Sequence, residues 1–243
     1  MDVVGDGFRL VHVVFGFIGL GAFWIPVFSK KGAANHVRFG KIFVWSAYIL
    51  LSAAAVALGL RIADAIRQGI GLSDEPSYFA FLVFLGYLTL VTFVIVRHGV
   101  GVLRNKREPR RMHTILNRFL AMAAVTASIA IVLYALIVAP PNRILLFALS
   151  PIGISSGLGI LRYINSEAPS RRAWMYEHMG AMLGGGIAFH TAFAVFGSSR
   201  LFDIGLEGWV AVIPWVAPAA IGIPAIVLWT RHYRRKFNEP VAA

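Results

Sequence analysis

The sequence contains no cysteine and few charged residues. The lack of cysteine excludes disulfide bonds and thiolate ligands to a metal. Charged residues make up 14% of the 243 residues and hydrophobic residues 58%, whereas soluble domains have roughly 25% charged residues. A soluble fold of this size would expose large apolar patches, which monomeric proteins avoid. The composition therefore predicts an integral membrane protein.

The chain also lacks the alternating pattern of membrane β-strands. It has instead seven apolar stretches of about 20 residues, the length that crosses a bilayer core as a helix. They cover residues 10–28, 42–63, 77–97, 117–139, 143–163, 174–197 and 207–230. Helices are expected because lipid offers no partner to free backbone groups. The predicted fold is all-α, with residues 1–243 forming a single transmembrane domain of seven helices.

Basic residues are concentrated in alternate loops of this predicted threading. The loops after the first, third and fifth spans, together with the C-terminal tail, hold 18 of the 23 lysines and arginines. Acidic residues are more frequent in the opposite loops. The positive-inside rule then places the N-terminus outside and the C-terminus in the cytoplasm. The acidic N-terminal flank and long first span argue against a cleaved signal peptide. We expect a multi-pass protein of the cytoplasmic (inner) membrane.

The densest run of charge is residues 104–113. It lacks the interleaved aromatic residues on which nucleic-acid bases stack, so a nucleic-acid partner is not expected. Basic clusters beside a membrane attract anionic lipid by about 1 kcal/mol per charge. The expected partners are the lipid bilayer and, at the basic cytoplasmic face, anionic lipids.

Glycines recur at a spacing of four residues in two predicted spans. Gly153 and Gly157 lie in the fifth span, and Gly180 and Gly184 lie in the sixth. Such patches let helix backbones approach closely. They predict close packing inside the bundle, and a homo-oligomer through the glycine-rich faces is the alternative.

No lysine, arginine, aspartate or glutamate lies near the middle of a predicted span. A retinal protein needs a lysine for its Schiff base, and the seventh span has none. A proton pump or a voltage sensor would carry buried carboxylates or arginines. These activities are not expected, although seven helices would otherwise suggest them.

Three histidines lie within the predicted spans: His12, His178 and His190. An ionisable residue at this depth is a candidate functional residue. At 1.5 Å per residue, His178 and His190 are about 18 Å apart along the helix axis, so they would serve different sites. We predict an outer level that pairs His12 with His190. An inner level would pair His178 with His36, with His98 near the same face.

Two histidines from different helices, beside glycines, are a common way to hold haem b. The iron takes a neutral imidazole nitrogen on each face. The leading hypothesis is therefore transmembrane electron transfer through haem b, and two levels of haem would let electrons cross the membrane. The candidate ligands are His36, His178, His12 and His190.

Four alternatives remain open. The histidines are structural if each only bonds to a neighbouring helix. A zinc-dependent membrane hydrolase would use His36 and His178 as metal ligands, together with a further ligand. The charge-free spans also fit a carrier or channel for a small, largely apolar solute. A structural subunit of a membrane complex is the fourth alternative.

Three segments of the sequence contain motifs that can be compared with those of known families. The first is Lys30-Lys31-Gly32-x-x-x-His36-x-x-x-Gly40, the second runs from Trp174 through Glu177-His178 to Gly184, and the third is Pro214-Trp215-x-x-Pro218-x-x-x-Gly222-x-Pro224, ending at Tyr233. Together they resemble an uncharacterised bacterial family of multi-spanning membrane proteins, described only as a domain of unknown function. The resemblance supports the threading. It gives weight to His12, His36 and His178, and it favours the inner pair. The first segment is also faintly similar to cytoplasmic loops of membrane b-type cytochromes.

Overall fold

The computed structural model of the protein describes residues 3–141, 143–166, 170–197 and 208–240. Seven of the helices in these ranges are long and apolar enough to cross a membrane. They are α1 (Val3–Phe28), α2 (Ala34–Arg67), α3 (Pro76–Arg104), α4 (Ile115–Ile137), α5 (Arg143–Ile164), α6 (Ala173–Ala192) and α7 (Ile213–Lys236). The described residues contain no strand. The predicted all-α architecture with seven spans is confirmed, and the chain is a multi-pass membrane protein.

Several helices are longer than the predicted apolar stretches. α2 begins at Ala34 and ends at Arg67, beyond the predicted limits of 42 and 63. α3 continues to Arg104, seven residues past its predicted end. The apolar stretch ends where the lipid ends. The helix is longer because its backbone hydrogen bonds are internal and continue into the polar region. The predicted start of the last span, residue 207, lies outside the described residues.

Three short helical turns lie next to the spans: one after α6, one before α7 and one in the loop after α3. A π-helical turn, Phe193–Gly197, continues α6, and a 3-10 turn, Gly208–Val212, precedes α7. A second 3-10 turn, Pro109–Met112, lies in the loop after α3.

Large apolar side chains are exposed along the spans. Leu10 and Phe17 on α1, and Leu136 and Ile137 on α4, are among them. In water such surfaces would be unfavourable, whereas lipid tails solvate them without cost. These faces are therefore the ones expected to contact lipid.

The described helices group into two compact units. Unit 1 comprises Met1–Val94 and Phe119–Leu161, and unit 2 comprises Ile95–Arg118 and Arg162–Ala243. Unit 1 thus holds α1, α2, most of α3, and nearly all of α4 and α5. Unit 2 holds the end of α3, the loop after it, α6 and α7.

In unit 1, α5 packs against α4 at the two glycines of the fifth span. A Cβ on Gly153 would lie 2.8 Å from Ala124 O, and one on Gly157 would lie 2.6 Å from Ala121 O. Any side chain larger than hydrogen would collide with the α4 backbone. The predicted close packing of this Gly-x-x-x-Gly face is observed, and α4 covers it.

In unit 2, both the end of α3 and α7 pack on α6. A Cβ on Gly99 would lie 2.7 Å from Ala181 Cβ, and one on Gly222 would lie 2.5 Å from Ile187 Cδ1. These two glycines let the helix axes come close together. The first of these contacts lies beside two side-chain hydrogen bonds that join α3 to α6.

Candidate functional site at the crossing of α3 and α6

Two side-chain hydrogen bonds at consecutive positions join the end of α3 to the start of α6. His98 Nε2 lies 3.0 Å from Glu177 Oε2, and His178 Nδ1 lies 2.9 Å from Gly99 O. A carboxylate or carbonyl oxygen only accepts, so each imidazole donates through the nitrogen named. We call these four residues the α3–α6 crossing.

Gly99 allows the two helices to approach at this point. A Cβ at residue 99 would lie 2.5 Å from Met182 Cε and 2.7 Å from Ala181 Cβ. A helical carbonyl oxygen has two lone pairs and uses one for the helix itself. The short helix-to-helix distance brings the second lone pair of Gly99 within reach of the His178 ring.

His98 is the buried ionisable side chain of the crossing. Its side chain is 6% exposed, whereas that of Glu177 is 35% exposed. The ring of Tyr163 meets the His98 ring edge-on, with 5.6 Å between their centroids. The Tyr163 hydroxyl is buried and has no hydrogen-bond partner among the described residues. An imidazole paired with a partly accessible carboxylate can hold or pass a proton.

His12 joins α1 to α2 in unit 1. Its Nδ1 lies 3.2 Å from Leu50 O. Gly16, one turn further along α1, would place a Cβ only 3.5 Å from Leu50 Cδ1. The imidazole therefore bonds to the backbone of the neighbouring helix, as His178 does in unit 2.

His36 lies in the first turn of α2, and its side chain bonds to the C-terminal end of α1. Its Nδ1 is 3.1 Å from Pro26 O, and Lys31 Nζ donates to Pro26 O at 2.9 Å and to Val27 O at 2.7 Å. The last carbonyls of a helix have no partner within it, so these side chains cap α1. Desolvation beside the helix end lowers the pKa of Lys31 below its ordinary value.

His190 makes its bond within its own helix. Its Nδ1 lies 2.7 Å from Gly186 O, four residues earlier in α6. This bond differs from those of His12 and His178, which link two helices. This bond holds the His190 ring against the backbone of α6.

Each of the predicted histidine pairs takes one residue from each unit. His12 and His36 belong to unit 1, and His178 and His190 belong to unit 2. Both pairings remain predictions. Within unit 1, Leu50 lies about 21 Å along α2 from His36, at 1.5 Å per residue. His12 and His36 therefore belong to different sites.

No group of three histidine, aspartate or glutamate side chains able to hold a metal ion occurs in the described ranges. Zinc in proteins takes about three protein ligands even at a catalytic site. The zinc hydrolase with His36 and His178 as ligands remains a prediction.

The sequence prediction missed the pair formed by His98 and Glu177. It included Glu177 in the sixth span without giving it a partner, and it placed His98 only near the same face as His178 and His36. The available signal was the neighbouring polar residues at two helix ends, Arg97-His98 on α3 and Glu177-His178 on α6. Only the helix crossing shows which of these residues meet.

A second polar network, also missed, surrounds Tyr87 in unit 1. Its hydroxyl lies 3.0 Å from Leu149 O, 2.9 Å from Ser150 O and 3.2 Å from Ser128 Oγ. Gly153 N donates to the same hydroxyl at 3.0 Å. In a regular helix, the N–H of residue 153 would donate directly to the carbonyl oxygen of residue 149. The Tyr87 hydroxyl therefore enters the backbone hydrogen-bond ladder of α5.

Comparison of the chain with protein-family models, curated proteins and solved structures finds no match. The resemblance to the uncharacterised bacterial family therefore remains a prediction.

Proposed function

We propose that this multi-pass membrane protein binds haem b through histidine and transfers electrons. The observation that supports the proposal is the orientation of two imidazoles inside the spans. His12 Nδ1 and His178 Nδ1 each bond to a carbonyl oxygen of a neighbouring helix. An Nδ1 bonded in this way carries the proton, so the neutral ring has its lone pair on Nε2, the nitrogen that can bind iron.

This arrangement matches the usual surroundings of a histidine ligand. A ligating histidine almost always donates its other N–H to a carboxylate, a carbonyl or water. That bond sets the tautomer, holds the ring and raises the basicity of the ligating nitrogen. Among the histidines inside the predicted spans, His12 in unit 1 and His178 in unit 2 each donate to a carbonyl oxygen of a second helix. His36, at a helix end, and His190, bonded within its own helix, rank below them.

The chain would hold the cofactor and surround it with apolar helices. Haem supplies one-electron redox chemistry when it is bound. His12 lies near the predicted outer end of α1, and His178 lies near the predicted inner end of α6. If each of these histidines held a haem, the two cofactors would lie near opposite faces of the membrane, as electron transfer across it would require.

The direct test is a spectrum of the purified full chain. The protein is expressed with a haem precursor supplied, purified in mild detergent, and measured reduced minus oxidised. We expect a Soret band and an α band, with haem quantified as its pyridine complex. The absence of both bands, under conditions where a known haem protein is loaded, would overturn the proposal.

Asparagine variants separate a ligand role from a structural one. The Nδ2 of asparagine takes nearly the position of imidazole Nδ1, so His178→Asn and His12→Asn keep a donor for the carbonyl but remove the ligating nitrogen. We expect these variants to lose haem and to melt near the wild-type temperature. His232→Asn, at an exposed residue, is the matched control and should keep its haem.

The leucine variants complete this test. His178→Leu and His12→Leu remove both the donor and the ligand. If the asparagine variants keep full haem content while the leucine variants only lower the melting temperature, these histidines are structural, and the assignment of ligands is wrong.

A specific observation favours transport of a small, largely apolar solute as a second candidate function. α5 contains Pro151, and the Tyr87 hydroxyl bonds between Leu149 O and Gly153 N around it. Proline removes one backbone donor from a helix, and irregular helices form substrate sites in many transporters. Solute-dependent flux into proteoliposomes, reduced in Tyr87→Phe, is expected. Flux equal to that of empty liposomes across a broad solute panel would exclude this candidate.

A further inference from the structure

Unit 2 has an open surface cavity of about 650 Å³ beside the end of α3 and the start of α6. The side chains of Ser170 and Trp174 form part of its wall. Four of its lining residues are cationic, and none is acidic. We call it the basic cavity and define it by these four residues: Lys106, Arg107, Arg171 and Arg172.

The first basic segment of the cavity is held in place by the fold. Met112 is buried, and a Cβ on Gly101 would lie 2.8 Å from Met112 Cε. Asn117 Nδ2 donates to Met112 O at 2.7 Å, and Arg97 donates to Asn117 Oδ1 at 2.6 Å. The loop after α3 is thus folded back onto its own helix, which orders the position of Lys106 and Arg107.

Only one of the four cations is paired with a carboxylate in the described ranges. Arg172 Nη1 lies 3.4 Å from Glu239 Oε1, and its guanidinium lies 4.1 Å above the Phe237 ring. Lys106, Arg107 and Arg171 have no acidic partner among the described residues. By contrast, Arg67 in unit 1 is paired with Asp64 at 2.7 Å.

Like charges that are gathered by the fold repel one another, and a bound anion relieves that repulsion. We propose that the basic cavity binds a phosphate group, carried either by an anionic lipid headgroup or by a soluble phosphate. Arginine and lysine are the side chains that suit phosphate oxygens, through charge-assisted hydrogen bonds. Lys106 Nζ lies 5.3 Å from the centroid of the Trp174 ring, so an aromatic residue lies beside the charges. Tryptophan is enriched at the headgroup level of membranes.

This proposal does not depend on haem binding. The full chain in a non-ionic detergent is titrated with two probes, inorganic phosphate and short-chain phosphatidic acid. Binding is measured by calorimetry and by the shift in melting temperature. The double variant Lys106→Gln/Arg171→Gln removes two charges from the cavity. The double variant Arg38→Gln/Lys41→Gln removes two exposed charges from unit 1 and is the matched control.

We expect the cavity variant to bind at least about tenfold more weakly, since about 1.4 kcal/mol corresponds to a factor of ten. The control should bind within twofold of the wild type. Binding of phosphatidic acid alone would assign the cavity to a lipid headgroup, and binding of both probes would extend it to soluble phosphate. No binding of either probe, or equal weakening in both double variants, would overturn the proposal.

Discussion

His98 and Glu177, 79 positions apart in the sequence, meet with 3.0 Å between Nε2 and Oε2. The imidazole is buried, and the carboxylate partly reaches solvent. The next residue on each helix repeats the connection, because His178 bonds to the carbonyl of Gly99. Two adjacent bonds of this kind fix the distance between the end of α3 and the start of α6. They also fix how the two segments are aligned along their axes.

The first prediction concerns the carboxylate of this pair. Glu177→Leu leaves the N–H of a buried imidazole without an acceptor, which costs about 1–3 kcal/mol. Glu177→Gln keeps an oxygen in place and should lose less than about 1 kcal/mol. Unfolding with sodium dodecyl sulfate, followed by helical circular dichroism, gives both values. Equal stability of the leucine variant and the wild type would contradict a structural role for the pair.

The second prediction concerns glycines in the fifth span. Gly157→Ala places a methyl group 2.6 Å from Ala121 O, and such overpacking costs about 1–3 kcal/mol. The control is Gly159→Ala, where a Cβ meets no atom within 4 Å. Alanine should stabilise the helix there by up to about 1 kcal/mol. Opposite shifts in melting temperature are expected, and matching shifts would refute the packing described for α4 and α5.

The third prediction contrasts two tyrosines of unit 1. Tyr87→Phe removes a hydroxyl that bonds to several groups around α5, and it should cost about 1–3 kcal/mol. The Tyr134 hydroxyl is buried without a partner among the described residues. Tyr134→Phe removes an unsatisfied group and should be neutral or stabilising. Thermal melting in detergent measures both, and a destabilised Tyr134→Phe variant would show that its hydroxyl has a partner.

The fourth prediction tests the orientation in the membrane. The native chain has no cysteine, so single cysteines give a clean background for labelling. Ser73 follows the end of α2 and Asn35 lies at its start, and both are exposed. A membrane-impermeant maleimide should label Ser73→Cys in spheroplasts, and it should label Asn35→Cys only after lysis. Labelling of Asn35→Cys in spheroplasts, and of Ser73→Cys only after lysis, would show that the predicted membrane orientation is wrong.

The sequence predicted much of the fold and less of the candidate site. Seven spans follow from apolar stretches of bilayer length, because lipid leaves helices as the only way to satisfy the backbone. The Gly153–Gly157 packing was also predictable from residue spacing. The His98–Glu177 bond and the Tyr87 network were not, because each depends on which helix faces meet.

Composition and hydropathy by themselves determined the class of protein and the number of spans. The bilayer acts on each apolar stretch separately, so these properties need no knowledge of tertiary contacts. The distribution of lysine and arginine likewise predicts the threading. Only the tertiary structure decided the partners of three histidines: a carbonyl of another helix for His12 and His178, and the C-terminal end of α1 for His36. A hydrogen bond requires atoms about 3 Å apart, and helix packing alone sets that distance.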